Sequence, residues 1–265
     1  MLDLHVVVCM KVVPKAEEIR VDPETHRLAR SDVRSEINPP DMNALEIALG
    51  LKDLHGGRVS ILSMGPSFFD SYLRVGLAMG ADDAYLLSDR RFAGADTLAT
   101  TYTLSKGILK IGQPDLIICG EESSDGATGQ VPPGLAEWLD LPQITLVTDL
   151  ELDRERKVVR GRREIKGGYE VQEAPTPVVV SAKTASNEPR FMDYQIKEYA
   201  FDEAQVTVWS SDDLVAEEEF IGVPGSPTIV SGLEQVEVRE RKKEMLTGSL
   251  DEIASRIVEL IQESL

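Results

Sequence analysis

The chain has 265 residues, 42% hydrophobic and 28% charged, with a formal net charge of −18 at pH 7. That length suits one large α/β domain with an extension, or two small domains, and the acidity argues against nucleic acid as partner, because a phosphate backbone needs clustered Lys and Arg. No apolar run reaches the roughly 18 residues of a membrane helix.

Residues 4–13 read as a buried strand, rich in Val and without polar alternation. The start is too short and too uncharged for a signal peptide. Asn38-Pro-Pro-Asp41 then precedes a helical stretch over 44–51, with Asp41 or Asn43 as its cap. A second strand over 58–63 ends at Met64-Gly65-Pro66, and a helix over 73–79 stops at Gly80. A third strand, 84–87, leads to Gly94-Ala-Asp-Thr97, which opens a helix ending near Gly112. A fourth, 116–119, runs into the polar loop from Gly120 to Gly134, and a helix marked by prolines follows. After Pro142 the pattern changes to strands over 144–152, 157–165 and 169–173 with tight turns, an antiparallel addition at a sheet edge. Residues 178–180 return to the sheet. From Asn187 no core pattern emerges until 249–265, where Leu250, Ile253, Ile257, Leu260 and Ile261 recur at helical spacing behind Ser249.

The fold expected is α/β, a parallel sheet with helices on both faces, an antiparallel addition at one edge and an extended C-terminal arm. We place a nucleotide-binding domain over 1–186 and the arm over 187–265. Ligands of such sheets lie beyond the carboxyl ends of the strands. Residues 9–11, 64–66, 88–97 and 120–131 therefore share one rim.

In the loop after the fourth strand, Gly126 and Gly129 let a ligand approach the backbone, while Asp125, Thr128 and Gln130 offer polar side chains. The loop lacks the Gly-Lys-Ser/Thr ending of a triphosphate-hydrolysing loop and is no Gly-x-Gly-x-x-Gly fingerprint. Asp96 or Thr97 is first of all a helix cap, lying on the same rim. Lys11 ends the first strand, where it either reaches solvent or faces an anion. His5, His26 and His55 are scattered without metal-ligand spacing, Glu17 and Glu18 are surface carboxylates, and neither a catalytic acid/base pair nor a Ser/His/Asp set is visible. Cys9 and Cys119, both inside apolar runs, read as buried core residues of a protein in a reducing cytoplasm.

Lys11-Val-Val-Pro14, Ile37-Asn-Pro-Pro-Asp41 with Ala44-Leu-Glu46, Ser63-Met-Gly-Pro66, Leu77-Ala-Met-Gly-Ala-Asp82 and Asp125-Gly-Ala-Thr-Gly-Gln-Val131 occur in this order, followed by Asn187-Glu-Pro-Arg190. Together they resemble the β subunit of electron-transfer flavoproteins. The resemblance implies a heterodimer with an α subunit and an adenine-nucleotide hydrolase-like domain that holds AMP in ordinary members. In electron-bifurcating members it implies a second FAD in that site, taking electrons from NADH and splitting them between the α-subunit FAD and a low-potential acceptor. Carried over by position, the nucleotide contacts Cys9, Asn38 to Asp41, Met64, and Asp125, Gly126, Ala127, Thr128, Gly129, Gln130 and Val131. Met10, Lys11, Gly65, Asp96 and Thr97 join them from the rim. The resemblance further implies an arm that wraps the α subunit and a docking loop near 191–198, with Tyr194 or Ile196 as apolar anchors.

The common form of the loop is Asp-Gly-Asp-Thr-Ala-Gln, and this chain has Ala127 and Gly129 in the third and fifth places. The missing acid suits the longer diphosphate of FAD. Ser88-Asp-Arg-Arg-Phe-Ala-Gly-Ala-Asp-Thr97 and Gly222-Val-Pro-Gly-Ser-Pro-Thr228 look like the bifurcating branch. A flavin also needs a flat apolar slot, for which Met10, Met64, Phe92 and Tyr102 are available, each equally suited to the core. We therefore expect FAD rather than AMP, an acyl-CoA-type dehydrogenase and a ferredoxin or flavodoxin as redox partners, and no metal. The alternatives are a simple electron carrier with structural AMP and, from another class, a nucleotide-sensing binding protein, which would have no use for a long arm.

Overall fold

Val6, Val7 and Val8 form the centre of β1 (His5–Cys9), a strand fully covered on both faces. The computed structural model describes residues 3–15, 34–229 and 245–264; Glu17, Glu18 and His26 lie outside these. The strand expected over 4–13 breaks at Met10 and Lys11. Beyond the break, β2 (Val12–Pro14) pairs antiparallel with β3 (Ser35–Ile37) in a small separate sheet. Helix α1 (Pro39–His55) starts before the expected cap, because Pro39 and Pro40 occupy first-turn positions where a missing N–H costs nothing. Asn38 is the N-cap residue, and Asp41 and Asn43 lie inside the helix.

Strand and helix then alternate as expected through β4 (Arg58–Met64), α2 (Asp70–Met79), β5 (Asp83–Leu87), α3 (Thr97–Ile111), β6 (Leu116–Gly120) and α4 (Val131–Leu139). Gly80 ends α2 in the left-handed conformation, at φ 119°. The antiparallel strands β7 (Gln143–Asp153), β8 (Val158–Ile165) and β9 (Gly168–Pro175) follow, and β10 (Val178–Ala182) returns between β6 and β7, parallel to both. Alternate residues of β1 face opposite layers. Val6 and Val8 pack with Leu45, Leu49 and Leu73 of α1 and α2, while Val7 and Cys9 pack with Leu104, Ile108 and Leu135 of α3 and α4.

One expectation fails beyond residue 186. Helix α5 (Tyr194–Asp202) is followed by β11 (Val206–Trp209), which adds to β5 as a parallel edge strand. The nine-stranded order is β11-β5-β4-β1-β6-β10-β7-β8-β9. The chain through 233 forms one compact unit and residues 234–265 a second, so the division expected at 186 cuts through the sheet. The short β11 carries no apolar run long enough to read as core; it is recruited by the Tyr85–Trp209 stack, 4.7 Å between ring centroids. In the second unit, α6 (Leu250–Ser264) begins with a capping box, Ser249 and Glu252 each bonding the other's backbone N–H. No helix among the described residues is long and apolar enough to cross a membrane.

The start of the expected arm is latched to α1. Asn43 donates to the Asn187 carbonyl (2.8 Å) and Asn187 returns a bond to the Asn43 carbonyl (3.0 Å). The Arg190 guanidinium grips Glu46 through Nε and Nη2 and also reaches Asp53 at 2.8 Å. Arg74 of α2 then donates to the carbonyls of Ala200, Phe201 and Ala204, taking up the orphan acceptors at the end of α5. Arg74→Ala is expected to cost about 1–3 kcal/mol through those unpaired carbonyls, and to raise hydrogen exchange across 194–204 while amides of β1 and β6 stay protected.

Candidate functional site

The Asp41 carboxylate, buried in the first turn of α1, accepts the Lys11 N–H at 2.7 Å and the Gly120 N–H at 3.1 Å. It thereby ties the ends of β1 and β6 to one helix. Burial pushes its pKa up to about 7, against the opposing pull of those N–H groups and Asn38. Gly120 is required here because a Cβ would lie 2.4 Å from Asp41 Oδ1 and 2.7 Å from Pro40 Cβ. Asn38 leaves the cap unmade and holds the next loop instead. Its Nδ2 donates to the Glu122 carbonyl (2.8 Å) and its Oδ1 accepts from Ser124 N (3.1 Å).

That loop is wound on the Ser123 carbonyl, which accepts from Gly126 N (3.3 Å) and Ala127 N (2.7 Å). Ala127 (φ 46°) and Gly129 (φ 61°) are left-handed, and alternating handedness turns successive N–H groups to one side as an anion nest. The N–H groups of Thr128, Gly129 and Val131 find no acceptor among the described residues. Pro132 and Pro133 leave the start of α4 with few donors of its own, so the loop rather than the helix end supplies the N–H groups. Lys11 Nζ reaches Asp125 Oδ1 at 2.6 Å and Ser123 Oγ at 3.2 Å. Burial raises the Asp125 carboxyl, but the Lys11 bond and charge outweigh it and hold the group below its ordinary range.

The loop forms one side of a cavity of about 570 Å³ that crosses the carboxyl ends of β6, β1, β4 and β5. The middle is floored by Cys9, Cys119 and Met64 and the far side by Phe92 and Leu104, while the turn from Gly94 to Thr97 reaches back to the loop, Thr97 Oγ1 lying 3.4 Å from Thr128 Oγ1. The four rim segments do converge, to varying depth. Of the expected contacts, Met10, Lys11, Asp41, Asp96, Thr97, Asp125, Gly126, Thr128, Gly129 and Val131 line the cavity with Cys9 and Met64. Asn38, Gly65, Ala127 and Gln130 do not; Asn38 and Ala127 shape the loop from behind, and Gly65 lies against the Phe69 ring. Tyr102 is core, packed on Trp138 and Phe220 and accepting from Glu217 N.

Asp96 caps α3 through Ala99 N (3.1 Å) and also accepts from Thr228 Oγ1 (2.7 Å). Thr228 lines the cavity 132 positions after Asp96; the resemblance singled out its segment, but no local pattern placed it at the rim. The Cys119 thiol is pushed well up by its hydrogen bond with Cys9 and by burial, so it stays protonated and is no nucleophile. At the other end of the sheet His5 Nε2 and Ser60 Oγ lie 3.0 Å apart and Ser60 reaches Asp83 at 3.3 Å, a grouping not visible in the sequence; Ser60 is fully buried and cannot meet a substrate. Tyr194 and Ile196 fall on α5 rather than on a loop, with Tyr194 89% exposed. Among the described residues no group of three His, Cys, Asp or Glu could hold a metal ion.

Parallel strands whose carboxyl ends open on a cavity beside a nest of backbone donors define a doubly wound α/β protein built to take an anionic ligand. Residues 25–214 match the electron transfer flavoprotein domain. The chain is 42% identical to the electron transfer flavoprotein subunit beta of Thermoanaerobacterium thermosaccharolyticum, over 97% of both chains. It is 42% identical to that of Clostridium acetobutylicum and 38% identical to the caffeyl-CoA reductase-Etf complex subunit CarD of Acetobacterium woodii, each over 98% of both chains. The chain belongs to the electron transfer flavoprotein family, among its β subunits.

Two outcomes test the tie at the strand ends. Gly120→Ala is expected to destabilise the fold by about 1–3 kcal/mol through overpacking, read as a lower urea midpoint. The second concerns pH. With a pKa of about 7 against an ordinary 3.8, Asp41 keeps a proton in the folded chain that the unfolded chain releases. The stability this confers is complete below about pH 4 and is lost as pH rises through 7. In Asp41→Asn, unfolding free energies from urea titrations are expected to fall less between about pH 5 and 8 than in the wild type.

Proposed function

We propose that this chain is the β subunit of an electron-bifurcating, NADH-linked electron transfer flavoprotein and that its cavity holds FAD. The observation that carries the reading is the extent of the cavity, which continues past the loop donors and the strand ends into a second, apolar side walled by Phe92 and Leu104. Its volume lies within the range of about 300–1,000 Å³ usual for small-molecule sites. The loop N–H groups, Lys11 and the apolar side of the cavity would hold a flavin, which would supply the chemistry of accepting an electron pair from NADH and releasing the electrons singly, to the α-subunit FAD and to a low-potential acceptor such as a ferredoxin or flavodoxin.

The chain's own residues bind and orient. The N–H groups of Thr128, Gly129 and Val131 face the diphosphate, with Lys11 supplying the cation among the carboxylates of Asp96, Glu121, Glu122 and Asp125. Met64, Phe92 and Leu104 exclude water from a ring. Residues beyond 186 dock on the α subunit. This is supported in α6, where Leu250, Ile257, Val258 and Ile261 are exposed. Tyr194 and Ile196 present the apolar contact to an acyl-CoA-type dehydrogenase. The protein acts in the cytoplasm.

A second reading, structural AMP in a simple electron carrier, is favoured by the single lysine, which suffices for one phosphate. Co-expression with the α subunit, denaturation and quantification of released nucleotides decides between them. Two FAD per heterodimer are expected; one FAD with one AMP overturns the bifurcating reading.

A further inference from the structure

We infer that Asp96 and Thr228 form a clasp that decides whether the cavity retains a dinucleotide in preference to a mononucleotide. The inference rests on the reading of the cavity as a nucleotide site and names the residues that set its ligand length. Asp96 Oδ2 accepts both the backbone N–H (3.1 Å) and the hydroxyl (2.7 Å) of Thr228. Asp96 N donates to Ser226 Oγ at 2.8 Å, and Ser226 in turn donates to the Gly222 carbonyl at 2.6 Å. The strap from Gly222 to Thr228 is therefore pinned at its end and folded on itself.

It is also fitted to what lies beneath. Gly222 is left-handed (φ 55°), and a Cβ there would lie 2.0 Å from the Arg91 carbonyl oxygen. A Cβ on Gly94 would lie 2.7 Å from Val223 Cγ2. Only glycine on each side permits this approach, so the strap and the turn between β5 and α3 form one closely packed wall.

Strand order divides the cavity. The loop donors and Lys11 stand at the β6 and β1 ends and Phe92 at the β5 end, with Met64 of β4 between; Asp96 and Thr228 belong to the wall that joins the two, since Thr97 Oγ1 lies 3.4 Å from Thr128 Oγ1 of the loop. A mononucleotide with its phosphate on the loop donors is satisfied by the first half. A dinucleotide must continue across β4 to the second half, along the whole of the wall that the clasp with Thr228 holds in place. Releasing the clasp therefore costs the longer ligand contacts and water exclusion that the shorter one never makes.

The test uses the heterodimer with its α subunit, freed of β-site nucleotide and titrated calorimetrically with FAD and with AMP separately. Thr228→Val removes only the hydroxyl donor. Asp96→Asn keeps one oxygen for the Ala99 cap and loses the second acceptor, and Thr228→Ser restores the donor. In both disruptive variants FAD affinity is expected to fall at least tenfold more than AMP affinity, with Thr228→Ser retaining the wild-type ratio. Equal losses for the two ligands, or no loss, overturn the clasp. Purified wild type carrying AMP overturns the bifurcating reading alone, since the affinity ratio is still measured; wild type that takes no FAD at all overturns both.

Discussion

One buried carboxylate organises the working end of this protein. Asp41 sits at the start of α1 and accepts backbone N–H groups from the ends of both β1 and β6. Those two strands are neighbours in the sheet, and their mutual pairing ends at Val8 and Ile118, before Lys11 and Gly120. The two oxygens of the Asp41 carboxyl each accept one of the Lys11 and Gly120 N–H groups, and the surrounding apolar packing excludes the water that would otherwise compete. The same burial raises its pKa toward neutrality, so the tie is strong in geometry and sensitive in protonation. Gly120 exists to let this carboxylate in.

Helix α1 extends that role along its length. Its N-terminal turn ties the strand ends, Asn43 exchanges hydrogen bonds with Asn187, and Glu46 with Asp53 holds Arg190. Asn38-Pro-Pro-Asp41, Glu46 and Asn187-Glu-Pro-Arg190 are thus parts of one hydrogen-bonded system, which directs the chain after β10 over α1 and on toward α5. The amide pair is reciprocal and the Arg–Glu contact bidentate. Both fix direction as well as contributing energy.

The cavity shows how an acidic protein can be arranged to take an anion. Carboxylates surround it, and three of them are engaged: Asp96 by Thr228, Glu121 by the Thr184 N–H, and Asp125 by Lys11. Positive potential comes from the Thr128, Gly129 and Val131 N–H groups, which have no acceptor among the described residues and lie around the left-handed Ala127 and Gly129. The prolines at the start of α4 shift that work from helix end to loop. The hydrogen bond with Cys9 and burial raise the Cys119 thiol, and the two side chains together floor the middle of the cavity.

Much of this was legible in the sequence. Short unbroken apolar runs such as 6–8 and 116–119, rich in β-branched residues and too short for a helix, fit doubly covered strands. Their alternation with helical periodicity specifies a parallel sheet with its ligand rim at the carboxyl ends. Local pattern also located the loop with Gly126 and Gly129, the Asp96 cap and the Gly80 stop. It did not locate the break at Met10, because that depends on a carboxylate 30 residues away, or the true start of α1. Nor did it reveal β11, four residues with only the outer two half-buried, too short an apolar stretch to announce a strand and held by an aromatic stack with Tyr85. Thr228 reaches the cavity only because Asp96 presents a second carboxylate oxygen across 132 positions of chain. Periodicity records which residues must be buried along a single element. The pairing of distant polar groups is set only when the packed elements bring donor to acceptor and exclude the water between them.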